Sequence, residues 1–359
     1  MILKNTQIIM ASTGKSIAAI ACSNGLGHSR RIIAISSFLF KNGFNGRIDL
    51  FISKEARNAF KNWSEFEYLM KNDSANFIDF CYPNLQSEKF EKLSDKSWNN
   101  IAIPNLSSYD LVWSDNILQI LTVRPDAVLT GSFLWHEVFQ IKENNCLEIE
   151  KFIIDQKSIL NKYKPQMAGN EYFVTDEVKN KTKFVPVGLY RYNFNLSKKT
   201  KRGIILSCGL GGEELDITKN AVNRIIENNI IPPDFLYIEK RILPKKYPSW
   251  IKLANFSDEM FHDSVAACIR PGLGTVSDAL INHLRLFTFS EPNSFEMYHN
   301  GQVIVDMGLG QYNNDPYTSY IDAVKYANNV ESINLQQFKT VHLRTDGIFA
   351  TTKFLLNNL

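Results

Sequence analysis

His28 lies in the run Asn24-Gly25-Leu26-Gly27-His28-Ser29-Arg30-Arg31, between an apolar segment, Ser16 to Cys22, and a helical pattern from His28 to Lys41. The residue types in this run share a chemical use. Glycine lets a backbone approach a ligand closely, and a helix N-terminus favours an anion or a developing oxyanion. An imidazole there titrates near the working pH and can take a proton from a hydroxyl. Residue type alone weighs that general base equally against a helix-capping or buried structural histidine. Asp115 closes another strand pattern, Tyr109 to Ser114, which places it at the carboxyl end of the same sheet, near His28. Its other reading is a cap on a helix beginning near Asn116 or Ile117.

Two further segments can face phosphate. Gly209-Leu210-Gly211-Gly212 follows the strand pattern Gly203 to Ser207. Its backbone amides could hold a diphosphate, although a tight turn is the favoured reading of the glycines alone. The segment Arg270-Pro271-Gly272-Leu273-Gly274-Thr275-Val276-Ser277-Asp278 carries more information. A strand ends at Arg270, a glycine turn follows, and a helix begins near Thr275. Amides and the Thr275 hydroxyl would meet phosphate oxygens, and Asp278, about a turn inside the helix, can accept both hydroxyls of a ribose. By residue type alone, favourable charge placement in a first helical turn explains Asp278 better.

These residues need a scaffold, and the hydrophobic patterning supplies one. Strand patterns at Ser16 to Cys22, Arg47 to Ile52, Phe77 to Phe80, Tyr109 to Ser114 and Asp126 to Thr130 alternate with helical ones in the first half, including a short helix from about Ile117 to Val123. The second half repeats this. Strands are expected at Gly203 to Ser207, Phe235 to Glu239, Ile251 to Asn255, Ala267 to Arg270 and Leu286 to Ser290, and helices at Glu213 to Asn228, Thr275 to His283 and Glu296 to Met307. Such alternation implies an α/β protein with two doubly wound parallel sheets. The polar, basic stretch Phe194 to Arg202 marks a linker. The expected division is an N-terminal domain over 1–195, a C-terminal domain over 200–340, and a last helix over 341–359.

With those residues in place, the segment Arg270 to Asp278 resembles the donor-binding motif of the lipid-linked N-acetylglucosaminyltransferase of peptidoglycan synthesis and related family 28-like transferases. The motif runs arginine, small residue, glycine, two variable residues, threonine, variable, serine, acid, and Arg270, Gly272, Thr275, Ser277 and Asp278 fall in register. The Asn24 to His28 loop resembles the family's N-terminal glycine-histidine loop, Gly209 to Gly212 its second glycine loop, and Tyr298-His299-Asn300 its sugar-reading helix. The resemblance implies the GT-B fold, two Rossmann-like domains facing across a cleft, with the last helix packing back toward the N-terminal domain.

It also implies a division of labour. A nucleotide sugar, with UDP favoured, would be held by Gly209, Gly211, Gly212, Arg270, Gly272, Gly274, Thr275, Asp278, Glu296 and Asn300. Gly25, Gly27 and Trp135 would lie on the acceptor side, with His28 at the reacting centre. Inverting plant glycosyltransferases pair a histidine with a downstream aspartate, which makes His28 and Asp115 a candidate dyad. The chain departs from the family at Asn282 to Arg285 and at Glu296-Met297, where glutamines are expected, and both departures bear on the sugar.

The remaining features limit partners. A net charge of +3 over 359 residues gives no argument for nucleic acid. Five cysteines at 22, 81, 146, 208 and 268 include no C-x-x-C pair, so reduced thiols in a cytoplasmic protein are expected. No D-x-D triplet occurs, which agrees with metal-independent transfer and no cofactor beyond the nucleotide-sugar co-substrate. The acceptor, whether glycan, lipid-linked saccharide or protein, stays open, as does peripheral attachment to the inner face of a membrane. Two rival readings remain. Gly25-x-Gly27-His28-x-x-Arg31 is also similar to the loop of a nucleotide-sugar hydrolase of nonulosonic acid synthesis, and a non-catalytic nucleotide-sugar binding protein is the third reading.

Overall fold

The computed structural model describes residues 14–81, 103–140, 147–191, 202–209, 213–291, 294–330 and 343–359. The chain divides into two compact units, Met1–Tyr190 with Asp346–Leu359, and Arg191–Thr345. The division falls at Tyr190 and Arg191. Residues 192–201, most of the expected linker, lie outside the described residues.

In the first unit, β1 (Ser16–Ala21) leads into α1 (Leu26–Lys41) and β2 (Arg47–Ile52). Helices α2 (Lys54–Phe60) and α3 (Ser64–Met70) precede β3 (Ala75–Asp79), and then come β4 (Leu111–Asp115), a 3-10 turn (Leu118–Thr122) and β5 (Val128–Thr130). Helices α4 (Trp135–Gln140) and α5 (Leu147–Tyr163), β6 (Gln166–Asn170), α6 (Asp176–Lys181) and β7 (Lys183–Val187) complete it. The seven strands run in the order β3-β2-β1-β4-β5-β6-β7, all pairings parallel. From Ile17 to Ala21 β1 is apolar and buried, as a central parallel strand covered on both faces must be. Pro186 is tolerated in β7 because that strand is an edge.

The second unit repeats the plan with β8 (Gly203–Ser207), α7 (Glu213–Glu227), β9 (Leu236–Ile238), β10 (Ile251–Leu253), α8 (Asp258–His262), β11 (Ser264–Ile269), α9 (Leu273–Ile281), β12 (Arg285–Phe289), α10 (Phe295–Asp306), β13 (Gly310–Asn313) and α11 (Pro316–Asn329). Its six parallel strands are ordered β10-β9-β8-β11-β12-β13. Helix α11 starts sharply because Asp315 accepts from the Tyr317 and Thr318 amides and Pro316 occupies the first turn. The chain then returns to the first unit as α12 (Gly347–Leu356), where Ile348, Phe354 and Leu355 join the core cluster that α1 feeds with Ile32, Ile35 and Leu39.

Both sheets reverse strand order at one point, between β1 and β4 and between β8 and β11. In open α/β sheets the crevice beyond the carboxyl ends of the strands at such a point is where ligands bind. The sequence patterns find most of the strands flanking these points. They pass over β6, β7, β13 and the helices α2 to α6, α8 and α11. The expected helix over Ile117 to Val123 is a 3-10 turn. Among the described residues no helix is long and apolar enough to cross a membrane.

Candidate active site

At the switch point of the first unit, β1 and β4 are in register with Ala21 opposite Asp115, and the Cys22 amide donates to the Asp115 carbonyl at 3.1 Å. The chain turns through Gly25, at φ +91°, and α1 begins at Leu26, so His28 sits in the first turn of that helix. It is not the N-cap; Gly25 is, without a side-chain bond. His28 Nδ1 lies 2.7 Å from Asp115 Oδ1. The carboxylate only accepts, so Nδ1 is the donor; in the neutral imidazole Nε2 then keeps its lone pair, the tautomer a general base needs.

Asp115 does not cap the following turn, whose N-cap is Ile117 without a side-chain bond. Its carboxylate is instead the centre of a network. Arg31 Nε donates to Oδ2 at 2.6 Å and Arg31 Nη2 to Oδ1 at 3.2 Å. The Thr130 hydroxyl donates to Oδ2 at 2.6 Å and receives the Trp113 indole N–H at 2.9 Å. Asp115 is fully buried. Burial alone would raise its pKa, but the Arg31 charge and the His28 hydrogen bond outweigh it and hold the carboxyl below the usual carboxylate range. The sequence patterns include Arg31 in the glycine-histidine run without giving it a role, and do not single out Thr130. Arg31 is three residues after His28 on one helix, which puts both on one face, and Thr130 ends β5 directly opposite Asp115.

Trp135 is only 6% exposed. Its ring packs edge-on to Phe133 at 5.3 Å and lies 6.3 Å from Phe139 and 6.5 Å from the His28 ring. That leaves little ring face for a sugar. The adjoining Glu137 accepts from the Leu134 amide at 2.7 Å and the Thr175 hydroxyl at 3.0 Å, and burial pushes its pKa up to about 7.

At the second switch point, Gly209 follows β8 at φ +61°. Gly211 and Gly212 lie outside the described residues. After β11, the Gly272 amide donates back to the Arg270 carbonyl at 2.8 Å, and Gly272 caps α9 without a side-chain bond. Helix α9 opens Leu273, Gly274, Thr275, all half-buried, and its first-turn amides have no intrahelical acceptor. Among the described residues a Cβ on Gly27 or Gly272 would meet nothing within 4 Å, and Gly272 has φ −69°. Neither packing nor backbone conformation requires glycine at Gly272, which leaves room above the helix for something else to approach.

The polar side chains of this region are engaged with one another. Asp278 falls in the second turn of α9, not the first, and forms an ion pair with Arg191. Arg270 Nε pairs with Glu214 Oε1 at 2.7 Å, and its Nη2 reaches the Ser294 hydroxyl at 3.5 Å. Glu296, in the first turn of α10, adds its charge on Arg270. Burial, then the hydrogen bond and charge of Glu214, push the Glu291 carboxyl up to about 8. Asn300 is buried and its amide donates to the Pro271 carbonyl at 2.9 Å, bracing the turn. Arg191, Glu214 and Glu291 were not legible in advance; each belongs to a segment distant in sequence from the motif it completes. Among the described residues no group of three or more His, Cys, Asp or Glu is placed to hold a metal ion.

The sequence matches no protein-family model and no curated protein. Solved structures do match over nearly the whole chain. The glycotransferase of kitacinnamycin superposes with TM-score 0.61 at 12% identity, covering 96% of this chain and 99% of that one. The calicheamicin glycosyltransferase gives 0.59 at 14% identity, covering 96% and 98%. A UDP-glucosyltransferase from Polygonum tinctorium capable of glucosylating indoxyl gives 0.59 at 8% identity, covering 97% and 99%. The chain therefore has the GT-B fold.

Proposed function

We propose that this GT-B chain is a glycosyltransferase that moves a sugar from a nucleotide-activated donor to an acceptor hydroxyl. The observation that carries the reading is the buried His28–Asp115 pair at the switch point of the first unit, with His28 Nδ1 2.7 Å from Asp115 Oδ1. In this mechanism His28 removes the acceptor proton as the hydroxyl attacks the anomeric carbon. Asp115 stabilises the imidazolium that forms. The second unit supplies the donor side: the open N-terminus of α9, with Gly272, Gly274 and Thr275, and the turn at Gly209 take the diphosphate, and Asp278 exchanges its Arg191 contact for a ribose. Stabilising a leaving diphosphate with helix amides and side chains needs no divalent ion, so turnover is expected to persist in chelator.

Solved relatives of this fold support the reading by their names, among them the UDP-glucosyltransferase above. The register of Arg270 to Asp278 with the family 28-like donor motif supports a UDP-sugar in particular. A thermal-shift screen of nucleoside diphosphates and monophosphates tests it. Stabilisation by UDP, followed by acceptor-dependent sugar transfer, is the expected result. Full-rate nucleotide release without an acceptor would instead identify a hydrolase, and tight nucleotide binding with no sugar consumed would identify a binding protein.

A further inference from the structure

We propose that Arg31 is a positioning residue that sets the proton affinity of His28 by sharing the Asp115 carboxylate with it. The inference rests on the proposed role of His28 as base, and concerns how that base stays unprotonated and ready.

The geometry is that of one anion divided between two partners. A carboxylate offers about four lone-pair directions. In Asp115 all four are occupied: His28 Nδ1 at 2.7 Å, Arg31 Nε at 2.6 Å, Arg31 Nη2 at 3.2 Å and the Thr130 hydroxyl at 2.6 Å. A lone buried aspartate beside an imidazole favours the imidazolium strongly, because an opposite charge at that range stabilises the charged form. An imidazolium is a useless base. Arg31 cancels that pull. With His28 neutral, Arg31 and Asp115 form an ion pair, and protonation of His28 adds a positive charge next to a guanidinium. The imidazole still keeps its directional bond to Asp115, which holds the ring and its tautomer. Asp115 thus orients His28 without over-stabilising its protonated form.

The guanidinium is itself held in place. Its carbon lies 4.9 Å from the centroid of the Tyr190 ring, and the Tyr190 hydroxyl is 3.3 Å from the Thr351 hydroxyl on α12. Arg31 is 11% exposed. A lysine, a point charge on a flexible stem, would keep the charge but not the two-pronged grip.

The charged and titratable groups coupled to this network lie on several elements. Asp115 lies on β4 and Arg31 on α1. Cys22 follows β1, kept as a thiol by burial, which pushes it up to about 12, and Cys81 acts on Cys22 in the same direction. Tyr190 follows β7 and is raised by desolvation. At neutral pH the two thiols and the phenol are uncharged, so Arg31 is the cation that opposes Asp115 at His28 among these groups.

The test is a direct titration of the His28 ring by NMR in the full-length protein, its signal assigned by loss in His28→Gln. Arg31→Gln should move the midpoint up by about one unit or more, the range expected when one of two opposing charges beside a group is removed. Arg31→Lys should bring it most of the way back. The double variant Arg31→Gln/Asp115→Asn removes both members of the Arg31–Asp115 pair, so it remains available if Arg31→Gln fails to fold. Its midpoint should stay near the wild-type value, because the two charges it removes cancel at His28. An unmoved or lowered midpoint in Arg31→Gln, a lysine variant that behaves like glutamine, or a double variant a full unit below wild type would each overturn the proposal. In parallel, the acid limb of kcat/KM should follow the NMR midpoint to higher pH in Arg31→Gln. A midpoint that moves while the limb stays would leave the Arg31 coupling intact and remove His28 as the base.

Discussion

At the carboxyl end of β4 four hydrogen bonds converge on one buried carboxylate, whereas at the carboxyl end of β11 a glycine turn leaves the first amides of α9 beside open space. Both places are switch points of a doubly wound sheet, built from the same strand, turn and helix. What differs is where the chemistry is stored. The first site depends on side chains whose charges fix one another, so each member carries both structure and proton affinity. In its proposed donor role the second would depend on backbone amides whose position the helix guarantees, with the Asn300 side chain bracing the turn. A charged network fails all at once when one member is removed. A backbone cradle loses contacts one at a time.

That contrast orders the expected effects. Asp115→Ala should be the most damaging change, because it strips the acceptor from His28, Arg31 and Thr130 and leaves a guanidinium buried without its anion. A loss of about 3–5 kcal/mol is expected in urea unfolding, with turnover reduced about 10²–10⁴-fold. His28→Ala should reduce turnover over the same range of about 10²–10⁴ but change stability by no more than about 1 kcal/mol, since Arg31 and Thr130 still satisfy Asp115. Equal stability losses in the two variants would break the distinction between a structural hub and a catalytic group.

The two regions should also differ in their response to pH. Asp115 has its pKa lowered by folding, so the stability it contributes is present above the ordinary carboxylate value and is lost as pH falls through the folded one. Glu291 is the reverse. Its folded pKa of about 8 stands above the unfolded value, so its contribution is full below that unfolded value and is lost as pH rises toward 8. Glu291→Gln should therefore flatten the stability profile on the alkaline side, raising Tm at pH 9 relative to wild type by about 2–4 °C, what about 1 kcal/mol gives in a domain of this size. An unchanged Tm difference between pH 5 and pH 9 would show that Glu291 is not the group responsible. The mildest change is Thr275→Val. One hydroxyl contact to a phosphate is worth about 0.5–1.5 kcal/mol, so nucleotide affinity should weaken about 2–10-fold with turnover at saturating donor unaltered.

How far these sites were legible in the sequence follows from how local their determinants are. The loop at Gly25 to His28 and the turn at Arg270 to Thr275 are contiguous, and hydrophobic alternation placed both after buried strands. Asp115 was placed beside His28 because both follow strand ends of one sheet. The partners that define the chemistry are non-local. Thr130 meets Asp115 through strand register, Arg191 meets Asp278 from 87 residues away, and Glu214 meets Arg270 from 56 residues away. Spacing along a chain cannot report such pairs. Two of the four edge strands, β7 and β13, escaped for another reason: β7 carries Pro186 and β13 is the polar Gly-Gln-Tyr-Asn, and neither shows the apolar run of a central strand. Trp135 looked like an acceptor contact by residue type, but three aromatic neighbours claim its surface.

The central claim is that nucleotide recognition belongs to the second unit and proton abstraction to the first. Calorimetric titration of UDP into wild type, His28→Ala and Asp278→Ala tests it most directly. The account predicts that His28→Ala binds UDP with wild-type affinity while its sugar transfer falls about 10²–10⁴-fold. Asp278→Ala should bind about 10–100-fold more weakly, the loss expected for hydrogen bonds to a charged group. UDP affinity abolished by His28→Ala and untouched by Asp278→Ala would contradict it.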